Sequence, residues 1–168
     1  YWPRIRRGAE HFSLSKLGAW GAELSVLAGF FDPPWGSPVE LLTPTAQAWL
    51  LNEAGVTLRA VGRLDEAGTA MDASMFADEQ QKEWKGAAIS AANLSELNLL
   101  RGAVVAAVDT ARHAVELANR SGDAFQKLAR RTDLANALAQ AGDPAAETWF
   151  GEAERMGAED FSAHPRLT

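Results

Sequence analysis

The chain has 168 residues, of which 47% are hydrophobic and 23% charged, a balance typical of a folded protein rather than a disordered one. It contains no cysteine, which excludes disulfides, thiol nucleophiles and thiolate metal sites and leads us to expect a cytoplasmic protein. The net charge of −6 opposes phosphate binding, and no apolar run approaches the roughly 18 residues of a membrane span, so we expect neither a nucleic-acid nor a membrane partner.

Helices are predicted throughout, because Ala, Leu, Glu and Arg are abundant and strand-forming runs are scarce. Apolar residues step by three and four along residues 48–61 and again along 104–118, as one stripe of a helix requires. The predicted helices, which would form four antiparallel pairs, cover residues 3–11, 14–31, 44–61, 64–80, 83–101, 103–120, 124–141 and 144–157.

The breaks between these helices carry start and stop signals. Thr43-Pro44 supplies a capping hydroxyl and then a proline at the first helical position. Gly122-Asp123 and Gly142-Asp143 each supply a glycine for a left-handed helix end and an aspartate to cap the next helix. Three prolines between Phe31 and Thr43 mark a long connection. We therefore predict a helix pair plus loop over 1–43, three helix pairs over 44–157 and an irregular tail over 158–168.

A repeat of 40 residues is the most regular feature of the sequence, since Gly62, Gly102 and Gly142 are equally spaced within similar text. A small residue precedes each glycine by seven positions, which would let the two helices of a pair approach closely; these residues are Gly55, Ser95 and Ala135. Ala67, Ala107 and Ala146 are placed to do the same on the second helix of each pair.

The pattern of small residue, glycine turn, alanine, aromatic and alanine resembles the tetratricopeptide repeat over about residues 44–157. The matching positions are Gly55, Gly62 and Ala67, and then Gly142, Ala146, Phe150 and Ala153. The period of 40 exceeds the usual 34 of that family, and Asn98 stands where a large apolar residue is expected. The stretches 93–97, 120–126 and 131–142 are similar to the C-terminal repeat region of bacterial signalling ATPases of the STAND class. This resemblance implies an all-α solenoid of stacked helix pairs that belongs to a longer polypeptide.

No residue pattern indicates catalysis or a bound cofactor. The three histidines have no second histidine three or four residues away with which to share a metal. The acidic pairs Asp65-Glu66 and Asp78-Glu79 fall at predicted helix ends, where capping or solvation explains them. The chain also lacks a phosphate-binding glycine loop and a nucleophile elbow. We therefore predict a protein that is not an enzyme and needs no metal or cofactor.

The resemblance implies a protein or peptide partner bound along the first helix of each pair, on a sensor or scaffold arm. The polar residues expected to line that groove are Asn52, Arg59, Asn93, Glu96, Asp133, Asn136 and Gln140. A solvated helix face is the competing interpretation. Trp35, set among prolines, is a second candidate as an exposed anchor, unless it folds back over neighbouring helices. A self-associating scaffold that forms a homo-oligomer through its repeat ends is the alternative function, ahead of a helical enzyme.

Overall fold

The computed structural model describes residues 18–162. In chain order the elements are α1 (Trp20–Ala28), β1 (Phe31–Asp32), β2 (Ser37–Pro38), α2 (Pro44–Ala60), α3 (Leu64–Gln80), α4 (Trp84–Leu100), α5 (Val104–Ser121), α6 (Ala124–Gln140) and α7 (Ala145–Ser162). The described residues are therefore mostly helical, and the all-α prediction is confirmed at this level. The helix predicted over 3–11 and the histidines His11 and His164 lie outside the described residues.

Two predicted helix ends are wrong. The helix predicted to reach residue 31 ends at Ala28. The residues that follow it form a short antiparallel strand pair instead, in which Phe31 pairs with Pro38 and Asp32 with Ser37. At the other end α7 continues to Ser162, so the irregular tail predicted from residue 158 does not begin there. No proline lies between Gly157 and Ser162, and nothing local stops the helix before that point.

The chain divides into two compact units, Tyr1–Ser74 and Met75–Thr168, and the division falls inside α3. The boundary predicted at residue 43 is therefore not where the compact units part. The physical reason is that the proline-rich segment is fastened to α2. The side-chain amide of Gln47 donates to the carbonyl oxygens of Val39 and Leu42, at 3.2 and 3.3 Å. In addition, α1 and β2 both pack against α2.

In the first unit, a close approach between α2 and α3 explains the small residue at position 55. A Cβ atom on Gly55 would lie 2.6 Å from Cγ of Met71 and 3.2 Å from the carbonyl oxygen of Ala67. Further along the same contact, the hydroxyl of Ser74 donates to the carbonyl oxygen of Ala48 at 2.7 Å. Small side chains at this contact are therefore required, as the sequence predicted.

The second unit is built from the end of α3 together with α4, α5, α6 and α7. Helix α5 packs against α4 on one side and α6 on the other, and α7 packs against α6. One apolar cluster joins α4 to α5 and a second joins α5, α6 and α7; their fully buried members include Ala88, Ala91 and Leu117 in the first and Ala111, Leu134 and Leu138 in the second. Between α4 and α5, the hydroxyl of Ser95 donates to the carbonyl oxygen of Ala107 at 2.8 Å. The predicted contact between these small residues is confirmed.

A left-handed residue ends a helix every 20 residues, twice as often as the predicted 40-residue repeat. The residues and their φ angles are Gly62 (81°), Lys82 (59°), Gly102 (73°), Gly122 (74°) and Gly142 (70°). At four of these turns the next N–H bonds to a carbonyl five residues back, as in the Schellman motif; the donor residues are Arg63, Glu83, Ala103 and Asp143. The turns at 82 and 122 join one helix pair to the next.

The predicted helix starts carry the expected caps. Thr43 accepts the backbone N–H of Ala46 at 3.3 Å, with Pro44 at the first helical position. Asp123 accepts the N–H of Gln126 at 2.9 Å, and Asp143 accepts that of Ala145 at 2.9 Å. These aspartates therefore act as predicted.

We expect Gly142→Val to lower the free energy of unfolding by about 1 kcal/mol or more, because a β-branched residue is strained at a φ of 70°. Urea unfolding followed by circular dichroism measures the change. The control is Ala139→Val, which introduces the same side chain at an exposed helical position of α6. Equal losses from the two variants would show that the backbone conformation at Gly142 is not the cause.

The opposite change is expected at position 82, where a non-glycine residue has positive φ. Lys82→Gly should raise the free energy of unfolding by about 0.5–1 kcal/mol, since relief of left-handed strain exceeds the entropy that glycine adds to the unfolded chain. Gln80→Gly, two residues earlier in α3, should instead be destabilising. A loss of stability in Lys82→Gly would contradict the expectation.

Candidate functional site

Helices α4 and α6 pack side by side and run in the same direction. At their starts, Nζ of Lys85 lies 2.7 Å from Oδ2 of Asp123, the residue that caps α6. Farther along, Glu96 is close enough to Asp133 to influence its ionisation. Because both links join equivalent points of the two helices, α4 and α6 are parallel and in register.

This arrangement brings together five of the predicted groove residues, which with Arg130 we call the α4–α6 face. Its members are Asn93, Glu96, Arg130, Asp133, Asn136 and Gln140. Glu96 and Asp133 are the link between the helices, and the others lie three or seven residues from one of them, on the same side of a helix. Asn93, Arg130 and Asp133 are partly buried, whereas Glu96, Asn136 and Gln140 are exposed.

Arg130 was missed by the sequence analysis. Its side chain is only 14% exposed, and its Nε lies 3.1 Å from Oδ2 of Asp133. The i,i+3 spacing of opposite charges was a signal that could have identified it. Arg130 therefore supplies a partly buried positive charge to the α4–α6 face.

The electrostatics of this face centre on Asp133. Burial raises the pKa of its carboxyl group; the guanidinium of Arg130 acts in the opposite direction, and the carboxylate of Glu96 raises the pKa further. The net direction is upward. Two carboxyl groups and one guanidinium therefore meet on this face, flanked by amides that can both donate and accept hydrogen bonds.

Gln126, one turn before Arg130, also escaped the sequence analysis. It is only 4% exposed, and within residues 18–162 its Oε1 atom has no hydrogen-bond partner from the protein. Ordered water commonly satisfies such atoms in protein interiors. A glutamine in the first turn of a capped helix is usually exposed, so the sequence did not indicate that Gln126 is buried.

The remaining two predicted groove residues, Asn52 and Arg59, belong to the first compact unit. Both are partly buried on α2, and their spacing of seven residues places them on the same side of that helix. They lie on the polar side of α2, within the first unit.

Trp35 is partly buried rather than an exposed anchor. Its ring centroid is 5.5 Å from that of Phe31, which is itself buried, and the guanidinium carbon of Arg63 lies 5.5 Å from the indole. The turn between β1 and β2 places Trp35 in a left-handed conformation and folds it back. The geometry agrees with the alternative interpretation, in which this tryptophan packs over neighbouring residues.

The two acidic pairs have different environments. Asp65 and Glu66 lie in the first turn of α3, where the helix dipole favours negative charge, as predicted. Asp78, in contrast, is only 5% exposed, so the prediction of a solvated or capping residue is wrong. Its neighbour Glu79 accepts a hydrogen bond from His113, whose Nε2 is 2.7 Å from Oε1 of Glu79. Within residues 18–162, no group of three or more His, Asp or Glu side chains is arranged to hold a metal ion.

No protein-family model, curated protein or solved structure matches this chain. No helix within residues 18–162 is long and apolar enough to cross a membrane. The function is therefore inferred from the residues and geometry of the chain itself, and the α4–α6 face is the candidate site.

We expect Glu96→Gln to lower the pKa of Asp133, because it removes the negative charge that raises it. Arg130→Gln should shift the same pKa upward, since the stabilising guanidinium is lost. Carboxyl ¹³C NMR titration measures both shifts. Glu116→Gln, at an exposed position of α5, is the control and should leave Asp133 unchanged. If the pKa of Asp133 is unchanged in Glu96→Gln, the two residues do not interact, and the α4–α6 face is not one continuous surface.

Proposed function

We propose that this chain is a protein- or peptide-binding helical repeat module, a tetratricopeptide-like solenoid that serves as a sensor or scaffold arm of a larger signalling protein. The regularity of the helices supports the repeat. Helices α2 to α7 each have 17 or 18 residues, and a left-handed turn residue recurs every 20. A constant helix-and-turn unit is typical of proteins that bind along an extended surface.

The observation that carries the binding function is the α4–α6 face. Parallel helices in register present Asn93 and Glu96 beside Asp133 and Asn136. An asparagine side chain can donate to a peptide carbonyl and accept from a peptide N–H at the same time, so two of them can hold an extended backbone. Such contacts need no enclosed cavity, which suits an open helical face.

The charge of the face indicates which peptides would fit. The carboxyl group of Glu96 raises the pKa of Asp133, so the two carboxylates repel each other, and Arg130 lies 3.1 Å from Asp133. A lysine or arginine side chain on the partner would relieve the repulsion between the carboxylates. An acidic segment would add to that repulsion, so the face favours a peptide with a basic residue.

Self-association is the alternative function, and exposed apolar side chains in the second unit favour it. Leu100 is 64% exposed and Val105 is 78% exposed, on either side of the turn between α4 and α5. Phe125, at the start of α6, is 69% exposed. A second copy could cover these side chains and bury their apolar surface.

A displayed library of random peptides, selected on the immobilised chain, provides a probe of the face. We expect Asn93→Ala combined with Asn136→Ala to weaken binding of an enriched peptide by about 1–3 kcal/mol, because hydrogen bonds to its backbone are lost. Titration calorimetry measures the affinity, and circular dichroism checks that helicity is unchanged. The matched control is Asp109→Ala with Arg112→Ala, a pair of exposed residues on α5 whose loss preserves net charge.

Two results would show that the α4–α6 face is not a peptide-binding site. If Trp35→Ala abolishes binding while the double asparagine variant keeps it, the loop between β1 and β2 is the binding surface. If selection enriches no peptide and sedimentation shows the apparent mass increasing with concentration, self-association replaces peptide binding. In that case Leu100→Ser with Val105→Ser should restore a constant mass.

A further inference from the structure

The turn between α3 and α4 departs from the other helix turns at three positions. Lys82 has the left-handed conformation that glycine has at residues 62, 102, 122 and 142. The carbonyl that closes this turn belongs to an acid, Asp78, whereas the turns at 62 and 142 use a leucine and the turn at 102 uses an asparagine. Gly86, in the first turn of α4, has no side chain to fill the space in front of it. The repeat pattern does not explain why this turn differs from the others at these three positions.

The geometry relates two of these departures to each other. The carboxyl group of Asp78 occupies the volume that a side chain at position 86 would fill. A Cβ atom on Gly86 would collide with Oδ2 of Asp78 and would lie 2.8 Å from its Cγ. The backbone carbonyl of Asp78 accepts the N–H of Glu83 at 2.8 Å, which holds the residue at the turn. The side chain thus reaches across the turn onto α4, and the residue is only 5% exposed.

The charged groups around this contact do not neutralise a carboxylate at position 78. Glu83, at the start of α4, is acidic and acts against ionisation. On α4, Lys85 is paired with Asp123 at 2.7 Å. On α5, His113 contacts Glu79 at 2.7 Å and lies 3.7 Å from Glu116, while Arg120 stacks 3.5 Å from the ring of Trp84. Lys82 is exposed.

We propose that the turn between α3 and α4 is a proton-operated joint, in which protonated Asp78 keeps the end of α3 packed on Gly86 and ionised Asp78 loosens that contact. This regulation is separate from the proposed peptide binding and holds whatever the chain binds. The joint is closed when the carboxyl group is neutral, because a neutral acid is buried at far lower cost than a carboxylate.

The direction of the pH dependence follows from the sign of the shift. Burial, with a smaller contribution from Glu83, raises the pKa of Asp78 from 3.8 to about 6. An acid whose pKa is raised on folding stabilises the folded state most fully below its unfolded value. That contribution is lost as the pH rises through about 6, so the joint loosens between about pH 5 and pH 7.

The joint is tested by NMR titration of the whole chain, with the carboxyl ¹³C of Asp78 and the backbone amide of Gly86 as reporters. Both signals are expected to move with one inflection near pH 6, because they report the same contact. In Asp78→Asn the inflection at Gly86 should disappear. The melting temperature of Asp78→Asn should match that of the unaltered chain only near pH 3, below the unfolded pKa of 3.8, and exceed it by about 5 °C at pH 8.

Three further variants complete the test. Asp109→Asn, at an exposed position of α5, should change neither the titration of Gly86 nor the melting temperature. Gly86→Ala displaces the carboxyl group from its site and should return the inflection of Asp78 toward the ordinary range of an aspartate. The proposal is overturned if the inflection at Gly86 persists in Asp78→Asn, or if Glu83→Gln removes it instead. It also fails if Asp78 in the unaltered chain titrates near pH 4.

Discussion

The architecture depends on how each helix is brought to an end. A left-handed residue lets the following N–H reach back to a carbonyl five residues earlier, and this bond recurs at residues 63, 83, 103 and 143. The reversal satisfies backbone groups that would otherwise be unpaired and turns the chain sharply enough for the next helix to pack on the last one. Because the stops are evenly spaced, the helices have nearly equal lengths. That equality is what places α4 and α6 in register and brings Glu96 next to Asp133.

Close packing between paired helices imposes a second constraint. The contacts are made by glycine, alanine and serine, so backbones approach each other and the buried surface per residue is modest. Serine contributes more than small size, because Ser74 and Ser95 each donate to a carbonyl oxygen on the neighbouring helix, at 2.7 and 2.8 Å. These hydrogen bonds fix which residues lie opposite each other, which alanine alone does not do. The larger apolar residues, such as Leu117 and Leu134, then fill the space between successive helices.

Asp78 and Asp133 illustrate how neighbours decide what a buried acid does. Burial raises the pKa of both carboxyl groups. Arg130 lies 3.1 Å from Asp133 and counters that effect, so Asp133 keeps a partner on a face that remains accessible. Asp78 has the acidic Glu83 near it instead, and Lys85 on the same helix as Glu83 is paired with Asp123. The first environment suits recognition of a charged partner, and the second suits a response to protons.

The sequence by itself determined the helices and their turns. The start at Thr43-Pro44 and the stop at Gly142 depend on hydrogen bonds within a few residues, so local residue types were sufficient to predict them. The same holds for the small residues at helix contacts, since their spacing along a helix already fixes the side on which they lie.

Only the tertiary structure decided the environments of particular side chains. The early end of α1 and the partial burial of Trp35 follow from a strand pairing that links residues five or seven positions apart across a turn. Asp78 is buried because α4 presents Gly86 to it, and Glu96 influences Asp133 because α4 and α6 are neighbours. Burial and charge at these positions depend on residues distant in sequence, and no local pattern specifies which helix will lie opposite.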